Sequence, residues 1–316
     1  MATDWEQKKF CHIGDSSKVM KKKLSSEKKV KLFLTDPPYN IGHAYGNVSD
    51  RLPKDEYHEM IKSVLLSAYE VADESAHFFM IHYPEAVAGM WNMITEETGW
   101  KFKQWLTWVY PSNIGMSKNK WTRASRTVLW LVKDEGGDPP FHPDRIVRPY
   151  RNPWDKRVAQ LIKDGKRGCS LYDWWEINLT KNVNKEKSDY SNQIPQTLLR
   201  RVIRSTTDMG DLVVDPFAGT FSTVKAALAT GRLGWGCDMN KDTKAYWPNN
   251  DDYIEDYQEV EFSIDQQESF DVVRAGITQG NLNDLIRRAC ENDGLPPGMK
   301  KWTELELDFI EGVNSE

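Results

Sequence analysis

Short apolar runs alternate with longer amphipathic stretches from Phe10 to Asp238. FCHIGD, residues 10–15, reads as a short strand ending in Gly-Asp. The lysine-rich stretch Lys18–Lys31 reads as a surface helix and loop. Val30–Thr35 is an apolar run bounded by turn residues, the pattern of a buried strand. In Pro53–Ala72 apolar residues recur at Tyr57, Ile61, Val64, Leu65 and Ala68, with acids at the start, which predicts a helix. Ala76–Ile81 predicts a strand and Pro84–Thr95 a helix. Phe102–Tyr110 and Thr127–Lys133 predict two strands flanking the loop PSNIGMSKNKWTRAS. After a Gly/Pro-rich break at Asp134–Pro140, Phe141–Lys187 shows no clean period and carries Trp154, Trp174 and Trp175; it reads as an insert. Gln196–Thr206 predicts a helix, Leu212–Asp215 a short buried strand, Thr220–Thr230 a helix and Leu233–Asp238 a strand. Strands alternating with helices predict an α/β fold with a doubly wound, mostly parallel sheet.

Composition bounds the setting. The chain of 316 residues suffices for one large α/β domain with appendages. No run of about 18 apolar residues predicts a membrane span, and the first residues lack the apolar core of a signal peptide. The cysteines, Cys11, Cys169, Cys237 and Cys290, show neither zinc-ligand nor disulfide spacing. The expected setting is a reducing one, cytoplasm or nucleus, with no metal.

Charge refines this. The net charge is -5, but Thr98–Lys133 holds seven bases and no acid, and Phe141–Gly168 holds eight bases against three acids. From Pro248 onward 17 acids face five bases. The acidic end masks a basic middle. Its bases, interleaved with Trp105, Trp108, Tyr110 and Trp121, have the makings of a surface that tracks a nucleic-acid backbone and stacks bases.

Two stretches carry candidate chemistry. TDPPYN, residues 35–40, ends a buried strand with an acid, two prolines and an aromatic, where a turn alone is the bland reading. DLVVDPFAGTFSTVKAALATGRLGWGCDMN, residues 211–240, places Asp215 at a strand end, Gly219 in a tight turn, and Asp238 at the end of the next strand. This is the layout of a nucleotide-like site at the carboxyl edge of a parallel sheet, where the second acid accepts from ribose hydroxyls. The turn lacks GxGxxG and a lysine, so it suits an adenosine ligand without a phosphate.

TDPPYN followed much later by VVDPFAGT resembles the β-class DNA amino-methyltransferases that use S-adenosylmethionine. FCHIGD resembles their N-terminal segment that closes the adenine side of the cofactor pocket. WLTWVYPSNIGMSKNKWTRASRTVLWLVK, residues 105–133, is similar to the corresponding stretch of cell-cycle-type adenine methyltransferases. SDYSNQIPQTLLRRVI, residues 188–203, is similar to the segment before the DPF motif. The resemblance implies a Rossmann-like methyltransferase fold with a catalytic part at 1–133, a target-recognition insert at 134–187 and a cofactor-binding part at 188–246. Residues 247–316 are an acidic extension with helical spacing around Leu282, Leu285 and Ile286, which resembles nothing in the family.

What the resemblance implies can be stated residue by residue. Asp36 and the Pro37 carbonyl would accept the two N–H bonds of a target amine. Pro38 completes the turn, and Tyr39 offers a face to a base flipped out of the duplex. Around the cofactor would lie Asp15 and Asp238 on the adenosine side, with Thr35, Asp215, Pro216, Phe217, Gly219 and Thr220 along its methionine part. Asn192, Gln193 and Pro195 would stand near its carboxylate. DNA would be met by Ser112, Asn113, Lys118, Lys120, Trp121 and Arg123. Arg145 and Arg148, with Arg151, Lys156 and Arg157, would form the specificity segment. The implied reaction is N6 methylation of adenine. N4 methylation of cytosine, methylation of RNA or a protein amide, and an inactive DNA-binding homologue are the rival readings. A second copy of the chain and a restriction nuclease are the implied protein partners. Two positions depart from the family: Phe221 stands where a second glycine is usual, and Ser125-Arg126 where His-Glu is usual.

Overall fold

The computed structural model describes residues 10–24, 29–42, 44–45, 48–49, 51–111, 115, 117–150, 152, 154–166, 168–180, 193–248 and 261–262. They fall into two compact units. The first holds the described residues up to His142 and from Asp173 to 248; the second holds 143–172 and 261–262.

In the first unit the strands are β1 (Cys11–Ile13), β2 (Val30–Thr35), the small pair β3 (Ala44–Tyr45) and β4 (Val48–Ser49), β5 (Ala72–His82), β6 (Lys101–Val109) and β7 (Ser125–Asp134). Later in the chain come β10 (Trp174–Glu176), β11 (Leu212–Asp215) and β12 (Leu233–Asp238). The helices are α1 (Ser16–Leu24), α2 (Lys54–Val71), α3 (Pro84–Glu97), α5 (Gln196–Thr206) and α6 (Ser222–Ala229). Eight strands form one sheet in the order β1-β12-β11-β2-β5-β7-β6-β10. All its pairs are parallel except those of β7, which runs antiparallel to β5 and β6. β2, β5 and β11 are hydrophobic on both faces because helices cover both.

Alternate residues sort to the two faces. Phe33, Phe78, Met80, Val214 and Trp235 join Met20, Tyr57, Ile61, Leu65 and Trp100 in one core under α1, α2 and α3. The opposite face is covered by α5, against β2, and by α6, against β11 and β12. In LGWGCD, residues 233–238, the two glycines share the α6 face. A Cβ on Gly234 would lie 2.8 Å from Val224, and one on Gly236 would lie 2.8 Å from the Phe221 ring. Glycine there lets α6 seat directly on the strand.

The chain runs from β2 through α2 to β5 on one side, and from β11 through α6 to β12 on the other. The order therefore reverses between the neighbours β2 and β11. Their carboxyl ends flank the crevice where open α/β sheets bind ligands.

The second unit contains β8 (Ile146–Arg148), α4 (Lys156–Lys163), β9 (Cys169–Ser170) and β13 (Glu261–Phe262), with strand order β13-β8-β9. Asp155 caps α4 by accepting from Arg157 N at 2.8 Å. Tyr150 and Ile162 form its small core with Val158 and Cys169.

The structure narrows the insert expected at 134–187. Trp174–Glu176 pairs with Thr107–Val109 as the edge strand β10 of the large sheet, so only 143–172 of that stretch belongs to the second unit. Three residues gave no period by which to recognise a strand. β5 also starts earlier than expected, at Ala72, directly after α2. The expected helical spacing at 282–286 lies outside the described residues.

Candidate active site

TDPPYN is where β2 leaves the sheet at the switch point. Thr35 is its last residue and donates from Oγ1 to Asp215 Oδ1, 2.7 Å away at the end of β11. Asp36 follows. The Tyr39 hydroxyl donates to Asp36 Oδ1, and no other hydrogen bond to that carboxylate is found among the described residues, so Oδ2 is open. The turn is braced from below. The Pro38 carbonyl accepts from Tyr57 Oη at 2.7 Å, and Tyr57 Oη lies 2.6 Å from His82 Nε2. His82 Nδ1 accepts from Tyr83 N at 2.7 Å, so the ring proton sits on Nε2 and points at Tyr57. Burial pushes His82 down to about 4, which keeps it neutral. Asn40 closes the motif in the left-handed region, φ 57, a conformation asparagine tolerates. Its side chain bonds Leu52 N at 2.7 Å and Leu52 O at 2.9 Å, pinning the chain that leads into α2.

A cavity of about 600 Å³ opens beside this motif. Thr35, Asp36, Pro37 and Pro38 form one wall, and Asp215, Pro216, Phe217, Gly219 and Thr220 another. Gly14, Asp15, Asp238 and Gln193 complete it, with Glu56, Tyr57 and Met60 from α2. Burial raises the proton affinity of three of its acids, Asp215, Asp238 and Asp36. Burial pushes Asp215 up to about 6, against hydrogen bonds from Thr223, Thr35 and Phe217 N. Burial raises Asp238, whose oxygens accept from Gly219 N and Asn240 N, each at 2.8 Å. Burial pushes Asp36 up to about 7; the Arg126 charge and the Tyr39 hydrogen bond oppose this, and Asp215 adds to it.

Most of the residues expected around a cofactor thus meet in one cavity, with three differences. Asp15 also caps α1, accepting from Ser17 N and Ser17 Oγ and pairing with Lys18 at 3.1 Å. Pro195 is buried at the start of α5 and does not line the cavity. Asn192 lies outside the described residues.

Phe221 does not reshape the site. It sits in the left-handed region, φ 57, at the residue before α6. Its ring turns away from the cavity, fully buried against Gly236, Cys11, Ala218 and Val224. A phenylalanine strained there by about 1–2 kcal/mol recovers that through burial of its ring, worth about 1.5–3 kcal/mol.

Tyr39 does not present an open face for stacking. Its ring is 5% exposed, with Tyr83 at 4.5 Å, His82 at 5.0 Å and the Arg126 guanidinium at 4.9 Å from its centroid. The expected basic and aromatic surface is broken up in the same way. Trp108 and Tyr110 are buried, as are Arg126 and Lys133. Lys101 pairs with Asp134, Lys103 with Asp138, and Arg123 with Glu85 at 2.6 Å while lying over the Tyr83 ring. Lys118, Lys120 and Trp121, the last 96% exposed, face solvent on the loop between β6 and β7. Since β6 is parallel to β2 in the sheet's sense, this loop leaves from the same edge as Asp36. Arg148 is buried in the second unit, donating to Ser170 O and to Tyr172 Oη at 2.7 Å, so it is a strut of that unit and not an open DNA contact. Arg145 is half-buried there. Ser112, Asn113 and Arg151 lie outside the described residues.

Sequence reasoning missed Tyr57 and His82 as supports of the motif. Both carry a core signal, Tyr57 on the apolar face of a helix and His82 at the end of an apolar strand. Arg126 had a signal, its departure from the family pattern, but nothing in the sequence ties it to Asp36.

A doubly wound sheet with acids at the carboxyl ends of β2, β11 and β12, and an apolar-walled cavity between them, defines a protein that binds a nucleoside-like ligand at the switch point. The chain belongs to the DNA methylase family of N6/N4 methyltransferases, which it matches over residues 30–247. It is 26% identical over 216 residues to the type II methyltransferase M.HpaI of Haemophilus parainfluenzae, covering 68% of this chain and 66% of that one. It is 24% identical over 241 residues to the DNA adenine methyltransferase YhdJ of Escherichia coli, covering 75% and 80%. Among solved structures it shares its fold with the PvuII cytosine-N4-specific DNA methyltransferase, at TM-score 0.58 and 17% identity, over 84% of this chain and 90% of that one. The M1.HpyAVI complex with S-adenosylmethionine is similar at TM-score 0.54 and 17% identity, over 75% and 95%.

S-adenosylmethionine is the cofactor of this family, and the cavity fits it. Asp215 is buried and Asp36 and Asp238 are half-buried, and burial raises the proton affinity of all three, so their charged forms call for a positive charge nearby. A sulfonium ion answers that demand. Gly219, φ 47, lets the chain turn tightly where an adenosine would approach the backbone.

Proposed function

We propose that this protein methylates the N6 amine of adenine in duplex DNA at a site-specific sequence. The observation that carries the reading is the open Oδ2 of Asp36 beside the cavity, at the head of a braced Asp-Pro-Pro-Tyr turn. The adenine choice follows the aspartate at that position and the similarity to an adenine methyltransferase.

S-adenosylmethionine, when bound, supplies an electrophilic methyl group on sulfur. The chain's own work lies on the other side of the reaction. The exocyclic amine of a base is a poor nucleophile because its lone pair is delocalised into the ring. Asp36 Oδ2 accepts one N–H and the Pro37 carbonyl the other, which aims the lone pair across the cavity and stabilises positive charge growing on nitrogen. Tyr39 donates to Oδ1, fixing the carboxylate plane. The surplus proton leaves through Asp36 or water. The base must leave the helix to arrive here, and Tyr39 must be uncovered to receive it. Asp238 and Asp15 are assigned to the adenosine side of the cofactor, and Thr35, Asp215 and the turn 216–220 to its methionine side. Lys118, Lys120, Trp121 and Arg123 are assigned to DNA, with a second copy of the chain and a cognate nuclease as expected partners. The place of action is the cytoplasm, at the nucleoid.

The test is methyl transfer to unmodified DNA from labelled S-adenosylmethionine by wild type and Asp36→Ala. N6-methyladenine formed by the wild type alone supports the reading; N4-methylcytosine overturns the choice of base.

A further inference from the structure

Arg126, the second residue of β7, is a buried cation in the site. It is 5% exposed, and its Nη1 lies 4.0 Å from Asp36 Oδ2. Its guanidinium carbon sits 4.9 Å from the ring centroid of Tyr39, 5.1 Å from Trp108, 5.7 Å from Tyr110 and 5.9 Å from Tyr83. Its Nε is buried with no hydrogen-bond partner among the described residues. Among those residues Asp36 is its one acidic neighbour within 4.0 Å. A buried guanidinium is costly unless something offsets its charge. Here the offset comes from four aromatic faces, whose quadrupoles attract cations, and from one carboxylate.

The distance decides how the pair works. At 4.0 Å a hydrogen bond is excluded, but Coulomb attraction at that range is strong in a water-poor site. Arg126 therefore acts on Asp36 without occupying its oxygens. Tyr39 takes Oδ1, and Oδ2 is left for another donor.

We propose that Arg126 is a positioning residue for methyl transfer: a guanidinium caged by aromatic rings that keeps Asp36 ionised while leaving Oδ2 open to the target amine. The inference rests on the reading of Asp36 as the amine acceptor. Other groups bear on the same carboxylate. Burial pushes Asp36 up to about 7 and Asp215, from β11, adds to this, while Arg126 is the largest opposing influence and the Tyr39 hydroxyl the next. His82, behind Tyr39, is neutral there. Arg123, over the Tyr83 ring on the far side of Tyr39, is paired with Glu85.

Single-turnover methylation of unmodified DNA, followed against pH, tests this with Arg126→Met, Arg126→Lys and Asp36→Asn. The wild-type rate should rise with pH through about 7. In Arg126→Met the rise should move to higher pH by about one unit or more, the shift a lost neighbouring charge produces. The rate at neutral pH then falls by about tenfold and recovers in alkali. Arg126→Lys should return the midpoint toward wild type. S-adenosylmethionine affinity should be unchanged in both. An unshifted midpoint in folded Arg126→Met, or an equal loss at every pH, would overturn the inference. If Arg126→Met does not fold, Arg126→Gln, which keeps a polar group without the charge, takes its place, and an unshifted midpoint in that variant overturns the inference. Asp36→Asn separates the two ideas: full activity in that variant sinks the acceptor reading itself. Inactivity there with no shift in Arg126→Met sinks the role of Arg126 alone. The Asp36 carboxyl carbon, titrated by NMR and assigned by its loss in Asp36→Asn, gives the same midpoint without turnover.

Discussion

Thr35 Oγ1 donates a 2.7 Å hydrogen bond to Asp215 Oδ1, joining the ends of two strands that lie 180 residues apart in the chain. Through it the acceptor motif of β2 and the cofactor turn after β11 share one rigid point. Thr35→Val removes the donor and leaves a buried carboxylate with one partner fewer. That should destabilise the fold by about 1–3 kcal/mol, read as a lower denaturation midpoint, and weaken S-adenosylmethionine binding, read by calorimetry. Unchanged affinity would place Asp215 outside the cofactor site.

Asp36 links activity and stability to pH with opposite signs. Its carboxyl is pushed up from 3.8 to about 7 by burial, so in the folded protein it holds a proton that the unfolded chain has released. Between those values the folded state binds more protons, and stability from this group falls as pH rises. Activity needs the ionised acceptor and rises over the upper part of the same window. Asp36→Asn should therefore abolish turnover and, above neutral pH, raise the melting temperature by a few degrees. Loss of both activity and stability in that variant would contradict this.

Phe221 and Gly236 are complementary: the ring fills the space a Cβ on Gly236 would need, at 2.8 Å. Gly236→Ala should cost about 1–3 kcal/mol by overpacking. Phe221→Gly relieves the left-handed backbone but loses a fully buried ring, a net loss of about 2–4 kcal/mol. Combined, the two should cost less than their sum, since the space is then free, and a double-mutant cycle in denaturant measures the coupling.

Much of this was legible in the sequence. The apolar runs located β2, β5, β6, β7, β11 and β12, and the acids at 36, 215 and 238 pointed to one sheet edge. What was not legible depends on contacts between distant segments. Only packing shows that Tyr57 of α2 and His82 of β5 brace the Pro38 carbonyl, since each occupies a position the periodicity assigns to the core. Arg126 and Lys133 counted as charge in a basic stretch, but β7 is buried on both faces, so both are covered although alternation sends them to opposite sides of the sheet. Phe221 stood out only as a departure from the family's glycine, because the sequence does not reveal which way a left-handed residue aims its side chain.

Tyr57→Phe cuts the link from His82 to the Pro38 carbonyl while keeping the ring. Stability should drop by only about 0.5–1.5 kcal/mol. Transfer should slow by about tenfold at saturating DNA and cofactor, with little change in KM, because the lost contact sets the aim of the acceptors. A change confined to KM would assign Tyr57 to substrate binding.

Lys118 and Lys120 precede Trp121 on the exposed loop at the catalytic edge. If both neutralise phosphates, Lys118→Ala with Lys120→Ala should weaken binding to all sequences alike and lower the salt slope of binding by about 2. An unchanged slope would remove that loop from the DNA interface.

The most direct test of the central claim is the identity of the methylated base. Unmodified duplex DNA is incubated with labelled S-adenosylmethionine and wild type or Asp36→Ala, digested to nucleosides and resolved by mass. The account predicts N6-methyladenine from wild type and none from Asp36→Ala. Label in cytosine would contradict the choice of base, and equal label from Asp36→Ala would contradict the site.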